Sequence, residues 1–429
     1  MKRIALLRSD APSNWVSCQS ITRNLIAAYR KAFGHAEIRE FALETGHSRH
    51  QTYEVAQALR DFSPDLIAFV DHAPHPGGLI RSLAALQPEG ALPAIDFHVF
   101  GDFSLRPNEW LEIEGDLRRI RARFFCASDK QCRLLRSLIT GGPSVISLVP
   151  FPVDASVFRF DAGRARERRK EFGVGDEDSV FFYAGRLSLQ KNVKLLLDIF
   201  GAYLQQVDSR AQLWLAGRVD DIGVPFLGFA PPPGWFSGQL LGKLQAAIPE
   251  DLRSRVRFLG ELGPEELAAR YLAAGTYISL STHNDEDFGM APAEAALCGL
   301  PLVLTDWGGF SSFRVIGEKD CGLVPVRIQD RAIHPKAGDV MGEMVRSGME
   351  GGGDDRRLRI ARAARAAFSI EAVAERLASL SGEPRPGPIE GFSPLLVEMG
   401  RAFRANPQAP YLSGFAYSAT YRRVYESYL

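Results

Sequence analysis

Short apolar runs alternate with stretches of helical period along most of the chain. The runs RIALLR, DLIAFV, PAIDF, RFFCAS and SVISLV, followed by VFFYAG, QLWLAG, RVRFLG, TYISLS and PLVLT, read as buried strands. Between them the apolar positions fall at three- and four-residue spacing, as over Gln19–Ala32, Lys191–Gln205, Pro264–Ala274 and Pro292–Cys298, which predicts helices. Strand–helix alternation of this kind predicts parallel sheets covered by helices on both faces. The strands are too many for one compact doubly wound sheet. The rhythm restarts after VPFPVDASVF (149–158), where prolines interrupt it. The expectation is an α/β protein with two Rossmann-like domains facing a cleft, 1–155 and 156–380. A linker and helical tail, 381–429, would dock on the body.

Three segments break the rhythm. GFAPPPGWFSGQ (228–239) reads as a loop inserted between a strand and a helix, and SGMEGGGDDRR (347–357) as a charged, flexible surface linker. SGEPRPGPIEG, from Ser381, leads into a tail in which Tyr417, Tyr421 and Tyr425 have the spacing of one helix face.

Composition changes this picture little. The 429 residues are 46% apolar and 24% charged, with 51 basic and 51 acidic side chains, so no global field points to nucleic acid. The five scattered cysteines lack metal-ligand spacing and read as reduced thiols. No window is apolar for the length of a membrane-spanning helix, and the expected location is cytoplasmic. DLRRIRARFF (116–125) carries four arginines, read as a solvated face that leaves open a peripheral contact with the inner membrane surface.

Candidate chemistry concentrates in HNDEDFGMAPAEAALCGLPLVLTD (283–306). Pro292 suits a first helical position and Gly299 a C-terminal cap, so the helix is expected over 292–298, with Glu294 in its first turn. The amides of Phe288, Gly289, Met290 and Ala291 then lack intrahelical partners. Glu286 and Glu294 suit vicinal diols, because one carboxylate can accept two hydroxyl hydrogen bonds. The competing reading makes Glu294 a helix-dipole partner and Glu286 a solvated loop acid. Upstream, FFYAGRLSLQKN places Gly185, Arg186 and Lys191 after a strand, where the two cations could clamp a diphosphate.

With these residues in view, the chain resembles the retaining GT-B glycosyltransferases of glycosyltransferase family 4 (glycosyl transferases group 1), over roughly 1–380. AGRLSLQKN, LWLAGR, VRFLGEL, the 277–309 stretch and CGLVPV carry the resemblance. It implies that Arg186 and Lys191 hold a donor diphosphate, that Glu286 binds sugar hydroxyls and that Glu294 binds the ribose diol. Gly185 and the backbone of Phe288–Ala291 would contact sugar and phosphate, and Leu259 and Leu262 would sit by the base. It also implies a metal-independent reaction with no cofactor beyond the nucleotide-sugar co-substrate. The acceptor would be a glycan, a lipid-linked sugar or a small molecule, and oligomeric state is undetermined.

The first half departs from that family. LLRSDAPSNWVSCQS lacks the usual Gly-Gly turn after the first strand, and FSSFRVIG follows DWGG without the usual glutamate. AIDFHVFGDF offers His98, with Asp102 nearby, as a contact to the reacting sugar; an ordinary strand-end histidine is the alternative. DHAPH (71–75) reads as a loop. Rival functions are a nucleotide-sugar epimerase or phosphorolytic enzyme on the same fold, and a non-catalytic sugar-nucleotide-binding relative. A dehydrogenase is disfavoured because no G-x-G-x-x-G follows a strand.

Overall fold

The computed structural model describes residues 1–11, 16–87, 92–101, 103–175, 178–221, 232–284, 286–330, 332–349 and 353–429. Asp102 and the first part of the 228–239 segment therefore lie outside the described residues. The chain divides into two compact units. Unit 1 comprises Met1–Pro152, Ile370–Pro410 and Ala419–Ser427; unit 2 comprises Val153–Ser369, Tyr411–Ser418 and Tyr428–Leu429. The chain thus returns to unit 1 at Ile370, with helix Ile370–Gly382, rather than remaining in the second body to residue 380.

Unit 1 is built on six parallel strands: β1 (Arg3–Arg8), β2 (Glu37–Ala42), β3 (Leu66–Phe69), β4 (Ala94–His98), β5 (Ala122–Cys126) and β6 (Ile146–Leu148). Their order is β2-β1-β3-β4-β5-β6. The central strands are buried along their whole length, which is why they read as unbroken apolar runs. Strand β2, EIREFA, pairs only with β1 and is half-exposed; its charged residues suit a sheet edge and hid it from the apolar pattern.

Unit 2 repeats the plan with β7 (Val180–Ala184), β8 (Gln212–Ala216), β9 (Val256–Gly260), β10 (Thr276–Ser279), β11 (Leu302–Thr305) and β12 (Cys321–Val324). All the pairings are parallel, in the order β9-β8-β7-β10-β11-β12. This is the Rossmann order, in which the strand direction of growth reverses between the first and fourth strands. Its core joins Phe181, Leu213, Ile278 and Val303 from the sheet to Leu196, Phe200 and Leu204 from helix Val193–Gln206.

Several local expectations change. Of residues 347–357, 347–349 end helix Ala337–Met349 and 354–357 open helix Asp354–Phe368, while 350–352 lie outside the described residues. Arg357 is buried there and donates to the carbonyls of Leu272, Tyr271 and Cys298, so it completes helix ends instead of facing solvent. The described part of 228–239 leaves the loop state at Gly234, where helix Trp235–Ala247 begins with its amides held by Asp221. The four arginines of 116–125 do not share a face: Arg118, Arg119 and Arg121 are exposed, but Arg123 is buried in β5 and donates to Leu380 O at 2.8 Å. The tyrosine stripe is also shorter than its spacing suggested. Tyr421 and Tyr425 pack on helix Ala419–Tyr425 with ring centroids 4.6 Å apart, whereas Tyr417 sits in a two-stranded antiparallel ladder before it.

None of the five cysteines forms a disulfide. Among the described residues no helix is long and apolar enough to cross a membrane, and no cluster of three metal-ligating side chains occurs.

Candidate functional site

In unit 2 the strand order reverses between β7 and β10, and the carboxyl ends of those two strands are the expected ligand position of an open α/β sheet. The loop after β7 begins with Gly185 at φ +147°, a backbone state that L side chains rarely adopt. Its close packing leaves no room for bulk nearby: a Cβ on Gly217, after β8, would lie 2.0 Å from the Gly185 carbonyl oxygen. Arg186 follows, its Nη1 2.6 Å from Asp220 Oδ2. The Tyr183 hydroxyl fixes this turn by donating to Arg186 O at 2.7 Å. Asp220 lies just after β8, on the neighbouring strand, and is buried.

A short helical turn, Leu189–Lys191, then carries Lys191 to Glu286, with Nζ and Oε2 2.5 Å apart. The same carboxylate oxygen accepts from Ser281 Oγ at 2.5 Å. Asn192 adopts the left-handed conformation and ties this loop to the one after β10, donating to Leu280 O at 2.8 Å and Thr282 Oγ1 at 3.0 Å. His283 is buried beside these cations. Burial, with Lys191 and Arg186, holds its imidazole well below the usual range and therefore neutral. Trp307 Nε1 donates to His283 O at 2.8 Å and secures the loop from the β11 side.

The helix after Glu286 is Met290–Leu297, with Gly289 as its N-cap at φ +103°. It starts two residues before the expected position because Pro292 is tolerated as the third helical residue, where its missing N–H leaves no bond unmade. Gly299 follows the last turn at φ +80°, as a C-terminal glycine should. The side chain of Phe288 is buried against Phe313 and Phe368, so only its backbone faces any ligand. Glu294 is consequently the fifth helical residue, outside the first turn. Burial pushes its carboxyl up to about 8, against a hydrogen bond from Tyr271 that pulls it down. Leu259 and Leu262 are half-buried at the end of β9, two strands from β7.

The structure therefore brings Gly185, Arg186, Lys191 and Glu286 together, with Gly289–Glu294 following Glu286 directly. Asp220, Ser281, His283 and Asn192 were not anticipated. The signal for Asp220 was present, since GRVDD follows a strand adjacent to β7 and so ends at the same sheet edge.

In unit 1, His98 is the last residue of β4 and is buried. Its Nε2 lies 3.1 Å from the Tyr29 hydroxyl, its ring packs against Phe125, and burial lowers it to about 3.

Residues 165–334 match the family model described as Glycosyl transferases group 1. A D-inositol 3-phosphate glycosyltransferase of Corynebacterium jeikeium is 35% identical over 166 residues, covering 38% of this chain and 36% of the relative. One from Corynebacterium urealyticum is 30% identical over 256 residues, covering 57% and 54%. The chain thus spans about half or less of the length of these relatives. Among solved structures, Anabaena Alr3699/HepE in complex with UDP-glucose superposes with a TM-score of 0.62 at 16% identity, covering 89% of this chain and 100% of that one. Sucrose-phosphate synthase from Thermosynechococcus elongatus gives 0.58 at 17%, covering 89% and 98%. Such identities speak to fold, here two parallel-sheet α/β domains of the GT-B class. Residues 165–334, which hold β7 to β12 and the groups gathered around Lys191 and Glu286, are the part of this chain that is similar to the glycosyl transferases group 1 family.

Proposed function

We propose that the protein is a retaining glycosyltransferase that moves a sugar from a nucleoside diphosphate sugar to an acceptor hydroxyl. The observation that carries this reading is the Lys191–Glu286 contact beside Arg186 at the switch point of unit 2. Two cations stand on one loop, Lys191 paired with Glu286 and Arg186 with Asp220, which suits a ligand whose diphosphate adjoins a hydroxylated ring.

In this reading Arg186 and Lys191 take the diphosphate, and Glu286 accepts hydrogen bonds from the transferred sugar. Glu294 accepts from the ribose diol, and Leu259 and Leu262 flank the base. The bond between the anomeric carbon and the diphosphate oxygen breaks as the acceptor oxygen bonds to the same face of that carbon. The acceptor proton passes to the departing phosphate. Positioning and charge stabilisation supply the rate, with the two cations offsetting leaving-group charge in place of a metal. For His98 we assign hydrogen bonding rather than proton transfer, because its imidazole stays neutral down to about pH 3. The acceptor class is a glycan, a lipid-linked sugar or a small molecule.

The structural neighbour holding UDP-glucose favours a uridine donor. Thermal-shift measurements against UDP-, GDP- and ADP-sugars test this, because a ligand at 100 times its Kd stabilises the native state by about 2.7 kcal/mol. A UDP-sugar is expected to raise the melting temperature; a flat response to the whole panel would sink the proposal. Turnover that survives Glu286→Gln or Arg186→Ala would overturn the site assignment.

A further inference from the structure

The segment that carries Glu286 is seated on two glycines from a later loop. A Cβ on Gly308 would lie 2.3 Å from Glu286 O, and one on Gly309 would lie 2.1 Å from the carbonyl carbon of Asp287. The Gly309 amide donates to Glu286 O at 2.6 Å. The backbone at 286–287 is thus pressed against 308–309, with no space for a side chain between them.

Tyr428, distant in sequence but part of unit 2, closes this arrangement from another direction. Its ring carbons lie 3.1 Å from where a Gly308 Cβ would stand, and the ring packs edge-on to Trp307 with centroids 5.5 Å apart at 78°. Trp307 is the residue that also holds His283 O. The Tyr428 hydroxyl donates to Asp287 Oδ1, and both residues are buried. Glu286 and Asp287 are neighbours with different anchors: Glu286 is held by Lys191 and Ser281, Asp287 by Tyr428. Any rotation of the shared peptide moves both carboxylates, so fixing one constrains the direction of the other.

From this geometry we infer that Tyr428 is a positioning residue for the donor sugar, acting through Asp287 on the Glu286 carboxylate. The inference rests on the donor-site reading given above. It also explains the D-W-G-G run at 306–309: the tryptophan and both glycines shape the seat that Tyr428 and the Glu286 segment share.

Tyr428→Phe keeps the ring on Trp307 and Gly308 and removes only the hydroxyl. Turnover of the donor sugar is expected to fall on the order of tenfold, as expected when a contact group is misplaced by a fraction of an ångström. UDP itself, which lacks the sugar, should bind within about twofold of wild type, because Arg186 and Lys191 are untouched. Asp287→Asn, whose amide oxygen can still accept from Tyr428, should retain more turnover than Asp287→Ala. Two results would overturn the inference. One is wild-type turnover of UDP-glucose, or of whichever UDP-sugar proves active, by Tyr428→Phe. The other is a parallel weakening of UDP and UDP-sugar binding together with a lowered melting temperature, which would indicate packing alone. Wild-type protein that binds neither UDP nor any nucleotide sugar would instead refute the donor-site reading itself.

Discussion

The two sheets reach their switch points with similar strands and opposite chemistry. In unit 1 the reversal falls between β1 and β3, and the amides that follow β1 are already taken by carboxylates. Ser9 N donates to Asp71 Oδ2 at 3.1 Å, and Asp10 N donates to Glu44 Oε1. The cation there, Arg8, is itself paired with Glu40 at 2.6 Å and with Asp10. In unit 2 the matching turn opens on Gly185 and carries Arg186, paired with Asp220, and Lys191, paired with Glu286. A Rossmann-like sheet therefore does not make an anion site by itself. The residues placed after the first strand decide which cations and carboxylates stand there.

The largest break in this contrast comes from the cations. Lys191→Ala is expected to lower turnover by about 10²–10³-fold, the usual cost of removing one charge-stabilising group. Arg8→Ala, the corresponding change in unit 1, should leave UDP binding by calorimetry unchanged. Equal losses from the two variants would show that the contrast has no functional content.

Next comes the turn that separates them. Gly217→Ala places a Cβ where the Gly185 carbonyl stands, at a residue with φ +131°. Strain together with a backbone clash should cost at least about 2 kcal/mol in urea unfolding and weaken UDP binding in parallel. Ser9→Gly in unit 1, where no positive φ is required, should cost far less.

What could be read from the sequence follows from the same distinction. Strands buried on both faces, such as VFFYA and ARFFC, are continuous apolar runs, and they were legible. Of the four edge strands, β6 and β9 were legible as SVISLV and RVRFLG, whereas β2, which carries Glu37, Arg39 and Glu40, and β12, the four-residue CGLV, were not. At the site, Gly185, Arg186, Lys191 and Glu286 were legible because each follows a strand and fits a local spacing. Asp220 required knowing that β8 lies beside β7, which is a fact of topology. The Tyr428–Asp287 contact spans 141 residues and leaves no local pattern. The arginines of 353–357 misled for a related reason, since a charged run looks solvated until tertiary contacts supply carbonyls to Arg357.

The two switch regions also differ in how their acids should respond to pH. Glu294, near the unit 2 site, has its carboxyl pushed by burial up to about 8 from the usual 4.5. The native state then binds more protons than the unfolded chain between these values, so stability falls as pH rises through that window. Glu294→Gln removes the penalty. Its melting temperature relative to wild type should climb by a few degrees between pH 5 and pH 8, on the scale of about 2–4 °C per kcal/mol for a domain of this size. A constant difference across that range would refute the assignment, and donor affinity should still fall if the proposed ribose contact is lost.

Glu44 in unit 1 predicts the opposite sign and the smallest effect. Burial would raise its carboxyl, but hydrogen bonds from Ser9 and from the amides of Asp10 and Ala11 leave it lowered from 4.5. An acid depressed in the native state contributes stability that is fully present above the unfolded value and is lost as pH falls below it. Glu44→Gln should therefore destabilise by no more than about 1 kcal/mol at pH 7, since the group is only partly buried. That difference should shrink toward zero below pH 4 in urea titrations. Donor turnover at saturating acceptor should not change, because these bonds lie within the unit 1 turn. A Glu44→Gln protein that loses donor binding would mean that the filled turn of unit 1 takes part in holding the donor, and the division of labour between the two switch points would have to be redrawn.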